Sequence, residues 1–271
     1  MSNKTIIYQF LCTFLLLLLL NGCAPKQWQD PLQEKEEESL RGLLLLEQEQ
    51  LKSCPSCIDA EIAATWNSQL YDGGINGYLQ IFLPSSIKLV ALNPLGQPLF
   101  AITTDSKRFQ TINAVKGVYK HGQLSSFVER HSLPEGILQG QWAPWLAGSM
   151  LFTDEQLTEL RQDVSSRGIW LTIEKKKGAA VFKEYLLYDP QARRLLERVP
   201  ISQGGDELAK ITYKSWSMIN GCPIPTSIII NGVSFGADFT IELTNILTDK
   251  VFTRKDFYLK LPPNYMQQYY P

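Results

Sequence analysis

The chain has 271 residues, a formal net charge of −1 from 26 basic and 27 acidic side chains, and 44% hydrophobic residues. That apolar content excludes wholesale disorder, and the lack of a basic excess excludes nucleic acid as the main partner, because phosphate contacts need Lys and Arg. Five cysteines are too few for a disulfide-built scaffold, and two histidines, His121 and His131, leave little for His-based metal or acid–base chemistry.

In chain order, residues 1–22 read as an export signal rather than as part of the fold. Lys4 supplies a positive start, and residues 10–20 form an apolar run of eleven ending in six leucines. A bilayer span needs about 20 residues, so the length fits a cleaved signal peptide. Leu20-Asn21-Gly22-Cys23 then resembles a bacterial lipobox. That resemblance implies cleavage before Cys23 and acylation of its thiol, which anchors the chain to a membrane through its N-terminal lipid. Ala24, where an Asp would retain such a protein at the inner membrane, implies the outer membrane. Residues 23–35 are polar with two prolines and read as a tether, leaving 36–271 as one domain.

Residues 36–51 predict a helix: Glu36, Glu37 and Glu38 suit its first turn, and Leu40, Leu43, Leu44 and Leu51 fall on one face. From Ile58 the hydrophobic period changes from 3.6 to 2. Ile58, Ala60, Ile62, Ala64 and Trp66 alternate with more polar neighbours, as do Ile75, Gly77, Leu79, Ile81 and Leu83, with a turn signal at Tyr71-Asp72-Gly73-Gly74. Further strands are predicted near 86–93, 98–104 and 108–114. Short helices are predicted at 124–130 and, after Thr153 as N-cap, at 154–164. Strands resume near 168–175, 180–188, 193–200, 208–216, 226–231 and 236–247, and Phe257, Leu259 and Leu261 close the pattern. About eleven antiparallel strands with two or three short helices make the chain mainly β. Periodicity leaves open a curved sheet around helices or a sandwich.

Motifs of catalysis are missing: no G-x-S-x-G, H-E-x-x-H, Walker A or G-x-G-x-x-G occurs, and the two histidines read as lying in turn-like and helical contexts. No cofactor, no metal and no enzymatic activity are expected. Cys54-Pro55-Ser56-Cys57 lies after a helix and before a strand, the reverse of a thioredoxin-type context. In an exported chain it reads as a Cys54–Cys57 disulfide stapling that turn, with Cys222 as the other available partner.

Asn93-Pro94-Leu95-Gly96, set between the apolar strands Ile87-Lys88-Leu89-Val90-Ala91-Leu92 and Phe100-Ala101-Ile102-Thr103, resembles the strand–turn–strand of the LolB family of outer-membrane lipoprotein receptors. The apolar segment 133–148, Ile211-Thr212-Tyr213 and Pro223-Ile224-Pro225 resemble other parts of that family in the same order, over about 36–248. The tail from Phe257 to Pro271 runs beyond the family's usual finish. The resemblance implies an unclosed antiparallel β-barrel with a helical lid around an apolar cavity for acyl chains. It implies a lipid-anchored receptor on the periplasmic face of the outer membrane, fed by a LolA-like periplasmic carrier. Candidate cavity residues are Ile62, Trp66, Leu79, Ile81, Leu89, Trp142, Trp145, Phe239 and Ile241, and Leu95 corresponds to the family's protruding, membrane-entering leucine. The other reading is a structural or interaction lipoprotein of envelope assembly with a filled core.

Overall fold

A computed structural model of the chain describes residues 28–68, 72–130, 142–177, 180–232 and 238–271. The signal segment and Cys23 lie outside the described residues.

One sheet of fifteen strands dominates. A first meander comprises β2 (Cys57–Asn67), β3 (Asp72–Phe82), β4 (Ser86–Leu92), β5 (Pro98–Thr104), β6 (Arg108–Asn113) and β7 (Val118–Gln123). A second comprises β8 (Leu157–Asp163), β9 (Ile169–Lys177), β10 (Ala180–Asp189), β11 (Arg194–Ile201), β12 (Lys210–Ile219), β13 (Cys222–Asn231) and β14 (Asp238–Leu247). The two join where β14 pairs antiparallel with β2, Phe239 opposite Trp66 and Leu243 opposite Ile62. The edges are β1 (Trp28–Pro31), paired with β8, and β15 (Met266–Tyr270), which runs parallel to β7.

Alternating apolar residues give β2–β4 and β8–β14 a core-facing row each, and the sheet curls so that these rows share a core. Leu79 of β3, Leu160 of β8 and Ile228 of β13 belong to one buried cluster. Helix α1 (Glu34–Lys52) and the short helix α3 (Trp142–Leu146) sit on this concave side, contributing Leu44, Ala143, Trp145 and Leu146 to the cluster. Helix α2 (Leu124–Arg130) covers a smaller cluster of Phe109, Leu124, Val128 and Tyr270. The convex side is capped in two places, by Trp28 against Trp170 and Tyr185, and by Leu259 against Ala101 and Tyr119. The architecture is thus the unclosed antiparallel barrel.

Several expectations change. The segment 154–164 is not a helix: only Asp154–Gln156 forms a 3-10 turn, capped by Thr153 as expected, and Leu157 begins a strand. A β-bulge between Leu157 and Glu159, followed by burial on opposite faces, leaves Leu157, Leu160 and Asp163 buried at intervals of three, which imitates a helical period. Trp28–Pro31, expected in the tether, is an edge strand because Trp28 finds an aromatic bed. On α1, Leu44 is buried and Leu40 and Leu51 pack against the core, but Leu43 is exposed. Its place on the buried face is taken by Glu47 and Gln48, whose side-chain oxygens accept hydrogen bonds there, while Gln48 Nε2 is buried without a partner among the described residues. Glu47 accepts from the Tyr188 hydroxyl and from Arg193 Nε at 2.5 Å, and Gln48 Oε1 accepts from the Phe152 N–H at 3.0 Å. Phe257 ends a 3-10 turn (Arg254–Phe257) and Leu259 lies in an irregular segment, the last strand comes later at β15, and His121 lies in β7.

The Cys54–Cys57 staple is also corrected. Cys54 is bonded to Cys222, 168 residues away, and Cys57 is a free, buried thiol. Cys57 is already the first residue of β2, its backbone paired opposite Phe82, whereas Cys54 still belongs to the helix end, its N–H bonded to the Leu51 carbonyl. The cross-link therefore ties the end of α1 to the start of β13.

Candidate functional site

The concave face is unevenly covered. Along β2, Ile58, Ala60 and Ile62 are buried, while Ala64 and Trp66 are half-buried. The same gradient holds next door. On β3, Ile81 and Leu79 are buried and Ile75 is half-buried, and on β14, Leu243 is buried while Ile241 and Phe239 are half-buried. In the antiparallel register, Ile75 faces Ala64, Ile241 faces Ala64, and Phe239 faces Trp66. Burial thus decreases toward one end of all three strands, leaving an apolar wall that the helices among the described residues only partly shield. The Trp66 ring lies across Gly73, where a Cβ would fall 2.3 Å from the indole, so this position needs glycine. The Trp66 indole N–H is buried without a hydrogen-bond partner among the described residues. It leaves a spare donor in an otherwise apolar wall.

The helix over the covered part is latched by polar side chains from the floor. The Tyr213 hydroxyl donates to the Trp145 carbonyl at 2.7 Å. Arg198, only 1% exposed, donates to the Ser149 carbonyl just after α3 and pairs through Nη1 with Glu184 Oε2 at 2.8 Å. Lys175 Nζ reaches the other Glu184 oxygen at 3.1 Å. Burial alone would raise the Glu184 carboxyl, but Arg198 and Lys175 outweigh it and hold the group below its ordinary value. Burial pushes the Tyr213 phenol up, with Arg198 opposing, so it stays a proton donor to the latch.

The turn between β4 and β5 lies at the same end of the sheet as the half-buried wall, because β2 and β4 both run toward that end, on either side of antiparallel β3. Asn93 organises it. Its Oδ1 accepts from the N–H groups of Leu95 and Gln97, each at 2.9 Å, and its carbonyl accepts from the Gly96 N–H. Pro94 fixes one φ and Gly96 adopts φ +78°, so the turn is pre-set. Leu95 stands at its tip 83% exposed. The β6–β7 turn and the start of β15 share this end and carry Val115, 76% exposed, and Met266, 57% exposed.

The structure therefore divides the sequence-derived candidates. Ile62, Leu79, Ile81 and Trp145 are buried core, whereas Leu89, Trp142, Phe239 and Ile241 are half-buried and pack against that core, and Trp66 is half-buried opposite Phe239. Leu95 is solvent-facing rather than folded back on the sheet. Sequence reading missed the latch of Tyr213, Arg198 and Glu184. The alternation Ile211-Thr212-Tyr213 does place Tyr213 on the inner row, but Arg198 is hidden in the run Leu195-Leu196-Glu197-Arg198-Val199, whose charges look solvated. Among the described residues there is no group of His, Cys, Asp and Glu side chains arranged to hold a metal ion, and no helix long and apolar enough to cross a membrane.

No family model and no curated protein matches the sequence. Solved structures do. A LolA superfamily protein from Nitrosomonas europaea is similar with TM-score 0.53 at 14% identity, over 80% of this chain and 96% of that one. A domain assigned to outer-membrane lipoprotein sorting from Vibrio parahaemolyticus gives 0.52 at 9% identity, over 80% and 95%. A DUF1329 family protein from Desulfovibrio piger gives 0.53 at 9% identity, over 85% and 98%. At these identities the likeness establishes the fold, the LolA-type unclosed barrel.

Proposed function

We propose that the protein is a lipid-anchored receptor, acylated at Cys23, that accepts the acyl chains of lipoproteins from a LolA-like periplasmic carrier and inserts them in the outer membrane. The observation that carries this reading is the shared end of the sheet: the half-buried wall of Trp66, Phe239 and Ile241 lies at the end from which Leu95 projects. No covalent chemistry is invoked. Each methylene moved from water into an apolar wall contributes about 0.8 kcal/mol, so a partly open wall binds a chain without holding it irreversibly. Leu95, with Val115 and Met266 beside it, then supplies the apolar edge that enters the bilayer during delivery. The assignment of the Vibrio parahaemolyticus domain to lipoprotein sorting supports this reading by fold.

A second reading has its own support. Ile62, Leu79, Ile81 and Trp145 fill the covered half of the concave face, as the core of a structural or interaction lipoprotein of envelope assembly would. Native mass spectrometry of a soluble, gently purified Cys23→Ser variant separates the two. Co-purified fatty acid or lipopeptide, displaced by a fluorescent acyl probe and lost in Phe239→Glu, is expected of the receptor. A ligand-free protein that takes up no probe would establish the filled core instead.

A further inference from the structure

We propose that the convex face carries a second binding site, for a phosphorylated sugar, built by the C-terminal segment and independent of the acyl-binding wall. Residues beyond β14 cross the outside of the sheet and are fastened to it. Lys88 Nζ donates to the Asp256 carbonyl at 3.1 Å, Thr103 Oγ1 to the Phe257 carbonyl at 3.0 Å, and the Leu259 N–H to Gln110 Oε1 at 2.8 Å. Between this segment and the strands lies a cleft of about 740 Å³. That volume suits a ligand of one or two rings.

The cleft's chemistry is unlike that of the concave face. Thr103, Gln110, His121 and Tyr269 stand in one row across β5, β6, β7 and β15, forming its floor. Tyr119 and His121 stack with ring centres 5.1 Å apart, and Tyr269 follows at 5.2 Å from His121. Lys107 and Arg108 line it from the β5–β6 turn, and Arg254 from the C-terminal segment. Among the described residues none of these three cations makes an ion pair. The one acid in the lining, Asp105, is engaged in its own turn, its Oδ1 accepting from the Lys107 and Arg108 N–H groups. Three cations converging from two segments on one cleft call for a doubly charged oxyanion, and guanidinium groups match phosphate oxygens. Tyrosine rings present an apolar face with a polar rim, which suits the hydroxyls and flat C–H face of a pyranose. The Gln110 amide is taken up by Tyr119 and Leu259, and Gln267 Nε2 by His121, so of these two amides the Gln267 carbonyl oxygen is the group that faces a ligand unengaged among the described residues. An acyl chain would find too little apolar wall here, and a bare anion would leave the rings unused.

The phosphosugar could come from a soluble sugar phosphate or from a glycolipid headgroup. Titration calorimetry on the soluble Cys23→Ser protein uses glucosamine 6-phosphate, glucosamine and inorganic phosphate as probes. Flotation uses phosphatidylcholine vesicles doped with lipid A or with phosphatidylglycerol. Binding of glucosamine 6-phosphate above both halves of the molecule is expected. Arg108→Ala and Arg254→Ala should each weaken it about tenfold or more, the equivalent of one charge-assisted contact, and Tyr269→Ala should weaken it too. These side chains are exposed, so the variants fold, and acyl-probe binding should be unchanged in all three. Flotation with lipid A vesicles, lost in the same variants, identifies the headgroup as the source; binding of the soluble sugar alone identifies a free metabolite. The site is overturned if no probe binds, if phosphate alone binds as well as its sugar, if phosphatidylglycerol vesicles float the protein as well as lipid A vesicles, or if the three variants bind like the parent.

Discussion

The Tyr213 hydroxyl, on the floor of the half-barrel, holds the backbone carbonyl of Trp145 in the helix above it at 2.7 Å. Both groups are buried, so the bond has no water to replace it. In Tyr213→Phe the Trp145 carbonyl loses this donor, and a buried orphan acceptor costs about 1–3 kcal/mol. The expected result is a lower melting temperature together with faster amide exchange in 142–150 than in the strands. Uniform exchange across the chain would show that the bond stabilises the whole fold rather than the lid.

Leu95 tests the delivery reading. An exposed tip leucine contributes little to stability, within about ±0.5 kcal/mol, so Leu95→Glu should melt like the parent. It should still take up an acyl probe yet fail to pass a lipopeptide to liposomes, and Val115→Glu should weaken delivery in the same direction. Unimpaired transfer by both variants would remove the apolar edge from the mechanism.

The cross-link between Cys54 and Cys222 closes a loop spanning nearly two-thirds of the chain. The chain-entropy model puts such a closure at about 5 kcal/mol, the upper end of disulfide effects. Cys222→Ala should therefore depress the melting temperature far more than Cys57→Ala, which loses only a small buried thiol. Alkylation of the unfolded, unreduced protein should modify Cys57 and leave Cys54 and Cys222 to react only after reduction. A protected Cys57 would contradict this pairing.

Acid should loosen the lid. Two carboxyls sit below their ordinary values against the opposing effect of burial: Glu184, beside Arg198 and Lys175, and Asp163, held by Arg167 and the Trp170 indole N–H. A depressed folded-state value means stability that is present above the usual carboxylate range and lost as the pH falls through the folded-state value. Melting temperature should therefore drop on acidification below that range. Glu184→Gln should flatten that limb while costing about 3–5 kcal/mol at neutral pH, because Arg198 is left buried without its charge partner. A parallel acid limb in the variant would place the titration elsewhere.

The strands were legible because an inward row and an outward row alternate along β2, β3 and β14 as far as the irregularity after Thr244, and the Asn93–Gly96 turn was legible because proline and glycine fix its backbone. What escaped depends on partners distant in sequence. Trp28 becomes a strand residue only because Trp170 and Tyr185 receive it, β15 forms only because β7 offers an edge, and Cys54 is decided by Cys222 rather than by its near neighbour. Leu157, Leu160 and Asp163 misled for a local reason, since a bulge reproduces the spacing of a helix. The wall candidates Ile62 and Trp66 could not be told apart by periodicity: they share a row, and only the reach of the helices above separates core from wall.

Among the described residues the half-barrel does not close, so it has two margins, each a row of peptide groups able to recruit another chain into a fibre. Here both margins are poor templates. At one, β1 is four residues long and ends in Pro31, which lacks an N–H to offer. At the other, β15 is five residues of largely polar and aromatic type, laid parallel so that it ends the meander instead of extending it. The openness of the half-barrel is thereby kept from becoming a route to polymerisation.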